Sequence, residues 1–269
     1  MSRTQKLLFF ITAWLICLMP FLFWWNTWFG RKLSDQQLTE YLHDTKKPRH
    51  IQQALVQIGE RITRHDATAQ QWYPDLVRLA ADPVEEVRNT DAWVMGHDTT
   101  VAGFHETLLK MLADPSQMVR GNAALSLVRF GDATGRPQIL ALLQPAQVTS
   151  PQSGRIIDSD RPGTAIHQGG MIAKLQYGHD QIAEIRSPIP GRIRSVAGTG
   201  ANIAAGTEIA VIDPANDQVW EALRALYLIG QPEDLPAIRP YERDLPDISN
   251  DVRQQALETE QAIRKRSGS

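Results

Sequence analysis

The chain has 269 residues, of which 42% are hydrophobic and 22% charged, enough for one or two ordinary domains with a buried core. Lys and Arg number 28 against 30 acidic residues, and the net charge of −2 excludes the basic footprint of a nucleic-acid binder. One cysteine, Cys17, excludes internal disulfides and paired-cysteine metal knuckles.

From Leu7 to Trp25 no residue carries a charge. A helix over this stretch would reach about 28 Å, close to the hydrocarbon thickness of a bilayer. Bulky Trp24, Trp25, Trp28 and Phe29 stand where a cleavable leader has small residues, so an uncleaved anchor over residues 1–30 is predicted. Arg3 and Lys6 on one flank are balanced by Arg31 and Lys32 on the other. A short helix follows, opened by Ser34 with Gln37 three residues on, the pattern of a capping box.

A period of 32 residues then sets in. "LVRLAADPVEEVRNTDAW" from Leu76 returns as "LLKMLADPSQMVRGNAAL" from Leu108, with Ala81/Ala113, Asp82/Asp114, Pro83/Pro115, Val87/Val119, Arg88/Arg120 and Ala92/Ala124 identical. The spacing predicts paired helices, with Asp capping the second of each pair, Pro in its first turn, and charges such as those of "VEEVR" on solvated faces. A third Asp-Pro is due at residues 146 and 147, where Ala146 and Gln147 stand instead; it appears as Asp213-Pro214. Removing residues 146–212 restores the period, and a further unit follows with Asp247, Val252, Arg253 and Ala256. An earlier unit is read from "HIQQALVQIGERI" at His50. The ADPxxxVRxxxA pattern resembles the HEAT-repeat family, including its phycobilin-lyase-like bacterial relatives. That resemblance implies an α-solenoid that scaffolds protein partners; bilin attachment is not carried by the repeat pattern.

The interrupting stretch is itself duplicated. At a constant offset of 37 residues, Ser150/Ser187, Pro151/Pro188, Gly154/Gly191, Arg155/Arg192, Ile156/Ile193, Gly163/Gly200, Ile166/Ile203, Gly169/Gly206, Ile172/Ile209 and Ala173/Ala210 agree. Glycines for turns, β-branched Ile for strand interiors and Ser-Pro at the start of each unit predict two similar sets of short strands. The pattern is similar to biotinyl/lipoyl carrier domains and to the related barrel of periplasmic adaptors, the membrane fusion proteins. The resemblance implies a modified lysine on the hairpin joining the halves; the matching position is Asp180, which forms no amide with biotin or lipoate. Lys174, the module's one lysine, matches Val211 and reads as a strand residue. Only "QYGHDQIAEIR" joins the halves, too short for the long helical hairpin of an efflux adaptor.

The seven histidines, at 43, 50, 65, 97, 105, 167 and 179, show no HxxxH or HExxH spacing, and "GTGANIAAG" lacks the Lys-Ser/Thr of a phosphate loop. No catalytic, cofactor or metal residue is assigned. Tyr177, His179 and Asp180 at the hairpin tip are the candidate protein contacts, against the plainer reading of a polar turn bent at Gly178.

The sequence therefore predicts an α+β multidomain chain. It comprises a transmembrane anchor (1–30), HEAT-like helical repeats (31–145), a small all-β biotinyl/lipoyl-like barrel sandwich (146–212), and continued HEAT-like repeats (213–269). The expected role is a membrane-anchored, non-enzymatic scaffold or adaptor without cofactor. Its partners would be proteins of a membrane or periplasmic complex, with no nucleic acid. The expected site is the bacterial inner membrane, single-pass, with the bulk periplasmic. Alternatives are a subunit of a transport or secretion adaptor complex, and a biotin or lipoyl carrier subunit that would bear its group on Lys174.

Overall fold

A computed structural model describes residues 31–179 and 181–268, together with Thr12, Trp14, Leu18 and Met19. The anchor expected over residues 1–30 lies otherwise outside the described residues. Among those described, no helix is long and apolar enough to cross a membrane. They form a mixed α+β structure of ten α-helices and two small antiparallel sheets.

Seven helices come first: α1 (Asp35–Leu42), α2 (Pro48–Thr63), α3 (Tyr73–Leu79), α4 (Glu85–Met95), α5 (Ala102–Met111), α6 (Gln117–Arg129) and α7 (Arg136–Leu142). Three follow the sheets: α8 (Asn216–Ile229), α9 (Leu235–Ile238) and α10 (Asn250–Ser267). Helix α1 begins in a complete capping box, in which Ser34 Oγ accepts from the Gln37 amide and the Gln37 side chain accepts from the Ser34 amide. Fully buried Leu38, Leu55, Ile58, Trp72, Leu76, Met95 and Phe104 hold α1–α6 around one apolar core. A second core joins α6 and α7 to α8, α9 and α10. Helix α6 serves both, giving Ala123 and Leu127 to the first and Ala124 and Val128 to the second, one face each at helical spacing. The helical packing thus continues past the sheets.

The starts of α4 and α6 differ from the expected caps. Asp82 accepts the Val84 amide at 2.8 Å and Asp114 the Ser116 amide at 2.8 Å, so each aspartate closes a turn ahead of the helix and holds its proline outside the first turn. Ser116 Oγ takes the capping role for α6, accepting from the Val119 amide at 3.4 Å. Arginine side chains bond the carbonyls just ahead of each helix: Arg88 Nη1 donates to the Asp82 carbonyl at 2.8 Å, and Arg120 Nη1 to the Asp114 carbonyl at 2.6 Å.

Between α7 and α8 run eight strands: β1 (Ala146–Thr149), β2 (Gly154–Ser159), β3 (Ala165–Ile166), β4 (Met171–Tyr177), β5 (Gln181–Arg186), β6 (Gly191–Val196), β7 (Asn202–Ile203) and β8 (Glu208–Pro214). They pair in the orders β1-β8-β6-β3 and β5-β4-β2-β7. Exchanging each strand for its counterpart 37 residues away turns one order into the other, the signature of an internal twofold. The register obeys it as well. A bulge in β2 between Ile156 and Asp158 recurs in β6 between Ile193 and Ser195. Gly163 and Gly200 turn at φ of +88° and +94°, and their amides donate to the carbonyls of Ile193 and Ile156, each in the opposite copy, at 2.7 Å. Both sheets share one core of Ile156, Ile172, Leu175, Ile193, Ile209 and Ile212.

Asp213 and Pro214, assigned by periodicity to the helical repeat, are the last residues of β8, paired with Arg192 and Gly191. Helix α8 starts two residues later, after Ala215 has donated its amide to the Pro190 carbonyl at 3.1 Å.

Candidate functional site

The hairpin tip is built from the end of β4 and the start of β5. Tyr177 is half-buried and opposite Gln181; Gly178 makes the bend at φ +54°, and His179 is exposed beside it. Asp180 lies outside the described residues. Among the described residues, the side chains of Tyr177 and His179 make no hydrogen bond or ion pair. Lys174 sits in the middle of β4, opposite Glu184 of β5, with its Nζ 3.7 Å from Asp158 Oδ2 on the neighbouring strand β2. It is a strand residue, away from any turn that would let it swing.

The charges of "VEEVR" are not simply solvated. Arg88 and Asp114 form a two-pronged pair, Nε to Oδ2 at 2.7 Å and Nη2 to Oδ1 at 3.0 Å, with side chains only 13% and 8% exposed. The Asp114 carboxyl is held below the usual carboxylate range, where bonds from Arg88 and the Ser116 amide outweigh burial. Glu85 accepts from Ser116 Oγ at 2.6 Å and from Gln168, which ties the β3–β4 turn to the foot of α4.

Two features had no sequence motif behind them. The first is a cavity of about 630 Å³ where the sheet β1-β8-β6-β3 meets the C-terminal helices, walled by Pro145, Arg194, Asp213, Pro240, Tyr241 and Leu245. Tyr241 Oη reaches across to donate to the Leu143 carbonyl at 2.5 Å, and Arg194 pairs with Asp213. Burial, with the negative Asp213 nearby, pushes the Tyr241 phenol up to about 12 and keeps it a donor. Its lining comes from stretches far apart in the chain; the run of prolines at 232, 236, 240 and 246 is the one local signal.

The second is Asp91 on α4. Its carboxyl is fully buried without a hydrogen-bond partner among the described residues, and burial pushes its pKa well up, against the opposing pull of Arg78. Ala123 occupies the same place one repeat on. Among the described residues no group of three His, Cys, Asp or Glu side chains is arranged to hold a metal ion.

No family model and no curated protein matches the chain. Among solved structures it is similar to a single-chain, multi-domain long-chain acyl-CoA carboxylase at 14% identity, covering 52% of this chain and 14% of that one. The TM-score is 0.25, too low to carry an argument about fold or activity.

Proposed function

We propose that the protein is a membrane-anchored, non-enzymatic adaptor. In this reading a HEAT-like solenoid and an unmodified biotinyl/lipoyl-like barrel present two protein-binding surfaces in a fixed relation, on the periplasmic side of a bacterial inner membrane. The observation that carries it is the tightness of the join. Ala146 pairs directly with Ile212, so the inserted stretch leaves and rejoins the helices side by side. Gln218 Nε2 then donates to the Leu142 carbonyl at 2.9 Å, and Arg192 lies 3.6 Å from Asp247. A carrier domain needs the opposite, a lysine on a mobile turn, and Lys174 is braced within a sheet.

The test is photo-crosslinking from Tyr177 and from His179 in native membranes, together with the intact mass of the full chain. An adaptor gives defined protein adducts and a mass without addition. A biotin or lipoate increment on Lys174 would overturn the reading.

A further inference from the structure

The helical repeats contain one rung that is complete and one that is not. On α4, Arg88 holds the carbonyl of Asp82 with one arm and both carboxylate oxygens of Asp114 with the other. Arg120, its equivalent on α6, repeats only the first half, binding the carbonyls of Asp114 at 2.6 Å and Pro115 at 2.9 Å. The aspartate due one repeat beyond Asp114 is replaced by Ala146, whose side chain is buried with the sheet core. The displaced Asp213 is paired with Arg194. Among the described residues no carboxylate lies within 4.0 Å of the Arg120 guanidinium.

Arg120 borders a cleft of about 570 Å³ between the helices and the sheets, together with Ser116, Gln117, Pro145, Gln147 and Pro188. Glu85 stands on the same wall with its Oε1 already accepting from Ser116 and Gln168. A guanidinium is a rigid fork matched to a carboxylate, and Arg88 shows within this chain what the same position takes when an acid is supplied.

We propose that this cleft binds a carboxylate borne on an extended segment of a partner protein, with Arg120 playing toward it the part that Arg88 plays toward Asp114. Only the identity of the carrier rests on the adaptor reading; the carboxylate site stands on the geometry alone.

The full chain in detergent micelles, labelled with ¹⁵N-arginine, provides the test through the Arg120 Nε–H resonance, identified by its loss in Arg120→Lys. Four probes are titrated: acetyl-Gly-Asp-Pro-Gly-amide, acetyl-Gly-Gly-Gly with a free carboxyl terminus, acetyl-Gly-Asn-Pro-Gly-amide, and acetate. The expected result is a saturable shift at Arg120 with a carboxylate peptide and none with the Asn peptide; whichever of the two carboxylate peptides saturates first identifies side chain or chain terminus as the source. Gln147→Glu, at an exposed position on the cleft wall, supplies a competing carboxylate and should weaken peptide binding at least about fivefold with melting unchanged. No saturable shift with either carboxylate peptide at about 20 mM, or an equal shift with the Asn peptide, overturns the site. Acetate saturating as readily as the peptides overturns the assignment to a protein segment. A failed crosslinking experiment would leave the arginine shift intact, so the two readings fail separately.

Discussion

The helices and the sheets both arise from duplicated sequence, and they use the duplicate in opposite ways. In the sheets each copy completes the other: Gly163 bonds to Ile193 and Gly200 to Ile156, so two copies close the set and no group waits for a third. In the helices the contact runs forward, Arg88 of one unit to Asp114 of the next, and nothing in it returns to close the pair. A closed duplication is finished by symmetry, whereas the open one leaves Arg120 without the acid that Arg88 holds.

The largest expected effect separates the two copies within the sheets. A Cβ on Gly191 would lie 1.8 Å from the Asp213 carbonyl oxygen, and one on Gly154 would lie 2.3 Å from that of Gln176, so valine at either place costs about 3 kcal/mol or more. Only Gly191→Val strains a strand that leads straight into α8. Hydrogen exchange should therefore show α8 losing protection in Gly191→Val and keeping it in Gly154→Val; identical footprints would show that the sheet does not transmit strain to the helices.

Next in size is the complete rung. Asp114→Ala leaves Arg88 largely buried without its acid, at a cost of about 3 kcal/mol by denaturant unfolding, with protection falling in α4 and α6 and unchanged in the sheets. Loss in all regions together would remove the distinction between open and closed duplication.

A smaller change of opposite sign belongs to Asp91. Its folded pKa lies well above the unfolded value near 3.8, so its contribution to stability is fully present below pH 4 and is lost as pH rises toward the folded pKa. Asp91→Ala, which copies Ala123 of the next unit, should raise stability at pH 7 by about 2 kcal/mol and flatten the dependence of melting on pH above 4. An unchanged pH profile would mean that the carboxyl finds a partner.

The smallest effect tests the twofold. Ser150 Oγ donates to the Gln152 carbonyl and Ser187 Oγ to that of Ile189, both at 2.6 Å. Ser150→Ala and Ser187→Ala should each cost about 1 kcal/mol and agree to within a few tenths. Unequal losses would show that attachment to the helices has made the copies inequivalent.

What was legible in the sequence is what repeats in it. The α+β composition could be read because glycine and Ser-Pro recur at one spacing and Asp-Pro at another, each a residue type that a backbone turn demands locally. Asp213-Pro214 matches the Asp-Pro of the helical period and not its counterparts Gln176 and Tyr177 at the 37-residue offset, so its pairing with Arg192 and Gly191 at the end of β8 shows only in three dimensions. Arg88 read as a surface charge because its partner sits 26 residues away on the next unit. The cavity around Tyr241 was invisible for the same reason, since its wall joins residues of β1's approach, β6, β8 and the loop before α10.

The adjacency of Ala146 and Ile212 bears on the order in which the molecule assembles. Once β1 and β8 pair, the ends of the inserted stretch stand about 5 Å apart, and the helices on either side meet as though joined by a short loop. Helices α6 and α8 can nucleate their shared core cheaply only after that pairing exists. Refolding should therefore show the sheets gaining protection before the seam between α6 and α8, with the sheets acting as the clasp that closes the stack.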